Sequence, residues 1–130
     1  MNRIVVLSLI FIFSCEIINS PGINIISESD FVEIQDSDYT LIDVRTQDEF
    51  DLGHIDSAIN LDFYSNTFKN DILSLPKNET IVLYCRTNNR SSKTATILQE
   101  NGYRDILVIK GGITEWVKNG NDINYTTSTD

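Results

Sequence analysis

The chain of 130 residues is long enough for one domain with its own core and too short for two. With 41% hydrophobic and 22% charged residues, its composition is that of an ordinary globular protein. The net charge of −9, from 10 basic and 19 acidic residues, argues against nucleic acid as a main partner, because phosphate binding needs clustered Lys and Arg.

Residues 1–20 have the pattern of a secretion signal followed by a linker. Arg3 supplies a positive charge, and residues 4–13 form an apolar run interrupted only by Ser8. Such a run is too short to span a bilayer, which needs about 20 residues, but it suits the apolar core of a signal peptide. A buried strand or helix is the alternative interpretation of the run.

The next residues, Ser14 and Cys15, resemble the end of a bacterial lipobox, in which the Cys is lipidated and becomes the new N-terminus. Phe13 is bulkier than that pattern prefers, and cleavage elsewhere in the leader is the alternative. Because both routes export the protein, we expect a periplasmic or other extracytoplasmic location, with a membrane tether if Cys15 is lipidated. Cys85 is the only other cysteine and would then lack a disulfide partner, which indicates a reactive thiol.

The rest of the chain alternates predicted helices and strands. After a linker over 21–26, capping residues at 27–30 predict a first helix, and further helices are expected over 47–52, 63–75, 91–100 and 113–119. Strands are predicted over 40–45, 58–61, 80–84 and 106–109. This order predicts a single α/β domain over 26–120, with a central parallel sheet and helices on both faces. A flexible tail is expected over 121–130.

The residues that follow the most apolar strand are typical of a site built around a nucleophilic thiol. Cys85 ends this strand, and polar residues 86–91 lead into a helix. Ligands bind at this edge of open α/β sheets, where such a loop can present successive N–H groups to an anion. Arg86, Arg90 and the helix N-terminus add positive charge that favours a thiolate. A small buried structural Cys is the alternative, which the two arginines disfavour.

Three ordered motifs resemble those of single-domain rhodaneses, a family of sulfurtransferases. The first comprises residues 41–45, 49–50, 53–55 and 58–60, the second residues 84–87 and 89–91, and the third Gly111-Gly112 with Trp116. The resemblance runs from about residue 26 to residue 120. Asn88 and Ser57 stand where this family commonly has glycine. Because Asn is the residue that tolerates positive φ best after Gly, the loop is still expected to close, and no functional meaning is expected for Ser57.

The resemblance implies a transfer of sulfur in two steps. The Cys85 thiolate would attack the outer sulfur of thiosulfate or of a persulfide donor, and the loop would hold the new persulfide through Arg86, Thr87, Asn88, Asn89, Arg90 and Ser91. A thiol or cyanide would then accept the sulfur. Arg86 and Arg90 would attract the anionic donor, or Arg90 would brace the loop instead. No cofactor is implied, and a monomer is expected.

Two other functions stay open from the sequence. A non-catalytic relay module would take its persulfide only from a partner protein, and an intact loop does not distinguish it from an enzyme. A cysteine phosphatase or arsenate-handling enzyme is disfavoured, because those phosphatases place one residue more between Cys and Arg than the four that separate Cys85 from Arg90. The tighter ring suits one sulfur atom better than a tetrahedral phosphate.

Other residues with chemical potential are expected to be structural. His54, the only histidine, falls in a turn of the family pattern, and Trp116 is expected in the core. Asp43 and Arg45 lie at a strand end, where they are expected to hydrogen-bond to neighbouring loops. One His and no Cys pair leave too few ligands for a metal site.

Overall fold

The computed structural model describes residues 22–126. The predicted leader with Cys15 therefore lies outside the described residues, as do residues 127–130. Five strands form one sheet in the order β1-β5-β4-β2-β3, and every pairing between neighbours is parallel. The strands are β1 (Ile23–Ile26), β2 (Thr40–Asp43), β3 (Ile59–Asn60), β4 (Ile81–Tyr84) and β5 (Ile106–Ile109). The predicted α/β fold with a central parallel sheet is confirmed.

Strand β1 lies in the segment 21–26, for which the prediction of a linker is wrong. Its four residues pair with β5, from Ile23 opposite Ile106 to Ile26 opposite Ile109. Asn24 and Ile25 are exposed, because β1 is an edge strand. A four-residue edge strand lacks the long apolar run that identifies a central strand, so residues 23–26 belong to the sheet although their pattern does not indicate it.

Five helices connect or flank the strands: α1 (Glu28–Glu33), α2 (Gln47–Asp51), α3 (Phe68–Leu73), α4 (Asn89–Glu100) and α5 (Gly112–Lys118). The predicted cap before α1 is confirmed, since Ser27 forms a capping box with the third residue of that helix, and Thr46 does the same for α2. Helix α3 is shorter than predicted. Asp62 and Ser65 accept hydrogen bonds from the N–H groups of Tyr64 and Thr67, and such local bonds compete with helix formation.

The two faces of the sheet carry separate apolar cores, which alternate along the central strand β4. Ile81 and Leu83 pack in the core on the side of α3 and α4, and Cys85 belongs to this core. Val82 and Tyr84 pack in the core on the side of α1 and α5, which also buries Trp116. Helices therefore cover both faces, as predicted, and Trp116 is a core residue, as expected.

The segment after α5 returns to the domain. His54 and Asn124 exchange two main-chain hydrogen bonds of 2.8 Å, and Trp116 Nε1 donates to the carbonyl of Asp122 at 2.8 Å. Residues 122–124 thus contact the domain, whereas flexibility of the whole segment 121–130 stays a prediction. Among the helices of residues 22–126, none has the length and apolar character needed to cross a membrane.

Candidate active site

Cys85 lies at the carboxyl end of β4, near the middle of the sheet, which is where open α/β sheets bind ligands. Its side chain is almost fully buried, with 1% exposed. Its Sγ lies 3.3 Å from Oγ of Ser91, a buried residue in the first turn of α4. Residues 86–91 form a loop that we call the thiol loop. It begins directly after Cys85 and ends at Ser91, whose hydroxyl lies beside the sulfur.

The main-chain carbonyls at the start of this loop point toward helix α5. Ile113 N–H donates to Cys85 O at 3.0 Å, and Thr114 donates to Arg86 O through both its N–H at 3.2 Å and its hydroxyl at 2.8 Å. This close approach depends on Gly112, because a Cβ added there would lie 2.2 Å from Cys85 O. Its φ of +54° also lies in the left-handed region that favours glycine.

The main-chain N–H groups of the thiol loop differ from its carbonyls in their hydrogen-bond partners. Within residues 22–126, none of the N–H groups of residues 86–91 donates a hydrogen bond to a main-chain or side-chain oxygen. Because the carbonyls of Arg86 and Asn88 accept hydrogen bonds from α5 and α4, the N–H groups are the groups of the loop available to hold an anion. Three of them, from Asn89, Arg90 and Ser91, form the first turn of α4 and carry the positive end of its dipole.

Arg90, near the end of the loop, is bound by Glu49 of α2. Its two terminal nitrogens donate to the two carboxylate oxygens at 2.6 and 2.9 Å, and only 14% of the Arg90 side chain is exposed. The hydrogen bonds from Arg90 lower the pKa of Glu49 to about 2, and those from Thr46 act in the same direction. The same pairing raises the pKa of Arg90 above its usual value. Arg90 therefore connects α4 to α2, and both of its terminal nitrogens are engaged by Glu49.

Sequence reasoning did not identify Glu49 as part of the site. Its place in the first motif shows only that Glu49 matches the family pattern. Its part in the capping box of α2 is already a sufficient reason for an acidic residue at this position, so the sequence gives no sign of a contact with Arg90. The two residues are 41 positions apart, so only the fold brings them together.

Arg86 is exposed, and within residues 22–126 its side chain forms no ion pair. It lies at a shallow groove of about 460 Å³ between α2, α5 and the segment after α5. The groove also contains the apolar side chains of Leu52, Ile113, Val117 and Ile123. Arg86 is thus the arginine of the loop that is free to meet an anion.

Asn88 contributes to the loop through its hydrogen bonds and not through a left-handed backbone conformation. Its φ is −142°, so the position does not need the tolerance of positive φ on which the sequence expectation relied. Its Oδ1 accepts the N–H of Gly111 at 3.0 Å, and its carbonyl accepts the Ser91 hydroxyl at 3.2 Å. Asn88 therefore links the thiol loop to the turn before α5. Its neighbours Thr87 and Asn89 are exposed.

The residues expected to be structural have structural contacts. Arg45 and Asp43 form a buried ion pair at 2.7 Å, and Arg45 also donates to Gly53 O at 2.7 Å. His54 stacks on Phe50 with ring centroids 3.7 Å apart. Among residues 22–126, no group of three or more His, Cys, Asp or Glu side chains is placed to hold a metal ion.

A family model described as "Rhodanese-like domain" matches residues 29–119 of this chain. The chain belongs to the rhodanese-like family. A sulfurtransferase from Allochromatium vinosum is 33% identical over 83 residues, which are 64% of this chain and 76% of that protein. A rhodanese-related protein from Thermoplasma volcanium has the same fold, with a TM-score of 0.70 and 26% identity over 78% of this chain and 97% of that one.

A tRNA uridine(34) hydroxylase from Buchnera aphidicola is 34% identical over 91 residues, which are 65% of this chain but only 28% of the hydroxylase. The chain therefore spans little more than a quarter of that longer relative. Membership of the rhodanese-like family, together with the relative named a sulfurtransferase, supports a transferase.

Proposed function

We propose that this rhodanese-like protein is a sulfurtransferase that carries a sulfane sulfur as a persulfide on Cys85. The observation that supports this most is the combination of a thiol and unused donors in one loop. The sulfur lies 3.3 Å from Ser91 Oγ, and the N–H groups of the intervening residues have no protein acceptor within residues 22–126. A ring of donors around one sulfur atom suits the terminal sulfur of a persulfide anion.

With thiosulfate as donor, the Cys85 thiolate attacks the outer sulfur. A bond forms between Cys85 Sγ and that sulfur, the bond to the sulfonate sulfur breaks, and sulfite leaves with the electron pair. The negative charge on the terminal sulfur is then stabilised by the N–H groups of residues 86–91 and by the Ser91 hydroxyl. Cyanide removes this sulfur as thiocyanate, or a thiolate removes it as a new persulfide, and Cys85 returns to the thiolate.

The two arginines of the loop have different parts in this proposal. Arg86 attracts the anionic donor, which matters because the chain as a whole carries a net charge of −9. Arg90 keeps the loop in shape through its paired hydrogen bonds to Glu49. A phosphatase would instead use its loop arginine to bind phosphate, so the engagement of Arg90 by Glu49 argues further against that alternative.

The burial of Cys85 also supports a sulfur carrier whose thiol is shielded from solvent. With 1% of the residue exposed, a donor can react only by placing its transferable sulfur inside the loop. The same burial would slow oxidation of the thiol, which matters if the protein is exported as its leader indicates. Export, cleavage of the leader and lipidation of Cys15 remain part of the proposal and rest on the sequence of residues 1–20.

A non-catalytic relay is the second candidate function. It is favoured by the burial of Cys85 and by the hydroxylase relative, of which this chain covers only 28%, so that similar domains occur within longer proteins. In a relay, the persulfide would come from a partner protein and not from thiosulfate.

Mass spectrometry after exposure to thiosulfate tests the proposal. The purified protein is expected to gain the mass of one sulfur atom on Cys85 and to release thiocyanate when cyanide is added. The variant Cys85→Ala is expected to do neither, and thiocyanate release by this variant at the wild-type rate would rule the mechanism out. A protein that is inert to thiosulfate but accepts sulfur from a partner protein would favour the relay. The same spectra of protein isolated from membranes test whether Cys15 carries lipid.

A further inference from the structure

Tyr64 is a mostly exposed aromatic residue that lies against the arginine at the end of the thiol loop. The centroid of its ring is 5.8 Å from Cζ of Arg90, which is within the range of an attractive contact between a cation and the face of an aromatic ring. Tyr64 itself is 69% exposed, whereas only 14% of the Arg90 side chain is exposed. Tyr64 is therefore one of the residues that separate the charge of Arg90 from solvent.

The position of the Tyr64 ring is fixed without use of its hydroxyl group. Its N–H donates to Asp62 Oδ1 at 2.9 Å. The ring of Phe63 is perpendicular to that of Tyr64, with centroids 5.4 Å apart, and Phe63 also contacts the core residue Phe68. Within residues 22–126, the Tyr64 hydroxyl forms no hydrogen bond. The aromatic ring, and not the hydroxyl, is thus the part of Tyr64 that interacts with Arg90.

Arg90 lies where it can determine the position of the hydroxyl beside the thiol. The next residue is Ser91, whose Oγ is 3.3 Å from Cys85 Sγ. The two hydrogen bonds from Arg90 to Glu49 join this end of the thiol loop to α2. An aromatic ring that keeps water and salt ions away from such an ion pair strengthens it, because both weaken the attraction between charges.

We propose that Tyr64 is a positioning residue for sulfur transfer, which acts on Cys85 through Arg90. The inference rests on the proposed function of Cys85. The Tyr64 ring covers the guanidinium group of Arg90 and so strengthens its ion pair with Glu49. The ion pair then keeps the end of the thiol loop, and with it the Ser91 hydroxyl, beside the sulfur.

The test measures how fast Cys85 of the full chain gains sulfur, by quenching its reaction with thiosulfate at short times and measuring the mass of the intact protein. For Tyr64→Ala we expect the maximum rate of loading to fall about fivefold, which is the size of effect that one contact between a cation and an aromatic ring produces. The thiosulfate concentration that gives half of the maximum rate should change by less than about twofold, because Arg86, which attracts the donor, is unchanged.

Tyr64→Phe is the conservative variant that should restore the rate. It keeps the ring beside Arg90 and removes only a hydroxyl that has no partner within residues 22–126. The control is Ile25→Ala, which removes a side chain of similar exposure, 66%, from the edge strand β1, and it should load at the wild-type rate. All three positions of change are exposed in the folded protein, where substitutions are tolerated, so the variants should remain folded.

Two further measurements separate an effect on the ion pair from a general loss of structure. Raising the ionic strength from about 0.1 M to about 1 M should slow Tyr64→Ala about threefold more than the wild type, because the Debye length falls from about 10 Å to about 3 Å. In protein that already carries Glu49→Gln, Tyr64→Ala should change the rate by less than about twofold, because no ion pair is left for the ring to strengthen.

Each outcome decides a separate point. Loading of Tyr64→Ala at the wild-type rate, or equal slowing of Tyr64→Phe and Tyr64→Ala, would overturn the inference. If the losses from Tyr64→Ala and Glu49→Gln multiply in the double variant, Tyr64 acts independently of the ion pair and the positioning role is also wrong. If the wild type gains no sulfur from thiosulfate, the proposed function itself fails. Urea denaturation of the wild type, the two single variants and the double variant would then still show whether Tyr64 and Glu49 are coupled.

Discussion

The thiol loop is held from two sides by different physical means. On the side of α5, neutral main-chain hydrogen bonds join Ile113 and Thr114 to the carbonyls of Cys85 and Arg86. On the side of α2, an ion pair joins Arg90 to Glu49. The neutral contacts depend on how closely two backbones approach, whereas the ion pair depends on charge. A change of shape should therefore disrupt the first side, and a change of pH should act on the second.

The contacts with α5 and the contact with α2 also contribute differently to the proposed chemistry. The contacts with α5 occupy the carbonyls of Cys85 and Arg86, whereas in the proposed function the N–H groups of the loop bind the sulfur. The contact with Glu49 fixes the far end of the loop, where Arg90 precedes Ser91 and its hydroxyl beside Cys85. We therefore expect disruption at α5 to abolish the site and disruption at Glu49 to weaken it.

The largest effect is expected for Gly112→Ala. The added Cβ would lie 2.2 Å from Cys85 O and 2.8 Å from both Arg86 O and Thr87 O, so the loop and α5 must move apart. We expect a loss of about 4 kcal/mol in the free energy of unfolding and of at least about 100-fold in kcat/KM for sulfur transfer. Urea denaturation and thiocyanate release measure the two quantities.

Gly120→Ala is the matched control for this prediction. Gly120 has a φ of +83°, but nothing lies within 4 Å of an added Cβ. It should therefore show only the cost of a left-handed conformation, about 1 kcal/mol, with normal activity. Equal losses for the two variants would mean that the close approach at Gly112 is not what matters.

Glu49→Gln should have the next largest effect, because it removes the charge but keeps an oxygen for the capping box with Thr46. Arg90 would then be left partly buried without its carboxylate. We expect a loss of about 2 kcal/mol in stability, after allowance for solvent around Glu49, and of about tenfold in kcat/KM. Asp30→Asn is the control, since Asp30 forms the same box with Ser27 on α1 and, within residues 22–126, makes no hydrogen bond or ion pair with the thiol loop.

The pH dependence of the stability difference between the wild type and Glu49→Gln gives a second measurement. The pKa of Glu49 falls from 4.5 to about 2 because Arg90 and Thr46 donate to the carboxylate. A carboxyl with a lowered pKa contributes its stability fully above pH 4.5 and loses it as the pH falls toward 2. The stability gap between wild type and Glu49→Gln should therefore close over this range, and a gap that stays constant would contradict the role of the charge.

Asn88→Ala should have a smaller effect, since it removes one neutral hydrogen bond to Gly111 at an exposed position. We expect a loss of about 1 kcal/mol in stability and of a few-fold in kcat. Hydrogen exchange at the Gly111 amide should accelerate, which a change elsewhere would not produce. Asn119→Ala loses a similar exposed bond, to Glu28, and should leave kcat unchanged. If both variants alter kcat alike, Asn88 has no particular connection to the site.

The sequence predicts most of the fold but only part of the site. Central strands such as β4 are apolar throughout, and the caps at Ser27 and Thr46 are local signals, so both can be identified without coordinates. The edge strand β1 is too short to give such a signal. Glu49 and Arg90 are far apart in the chain, and their pairing follows from how α2 and α4 meet. The conformation of single loop residues is also set by such long-range contacts.

The smallest effect is expected at Ser57. It tests whether the backbone conformation of a single loop residue determines which residue the position tolerates. Among residues 22–126, Ser57 is the only residue other than glycine with a positive φ, at 65°. Ser57→Gly should therefore stabilise the protein by about 0.5 kcal/mol, because relief of the left-handed strain exceeds the added freedom of the unfolded chain. Asn88→Gly should instead destabilise it, since Asn88 has a φ of −142° and gives up its bond to Gly111. Urea denaturation of both variants should thus give opposite signs for the same substitution to glycine. If both variants changed the stability in the same direction, the backbone conformation of Ser57 and Asn88 would not be what determines how each position tolerates glycine.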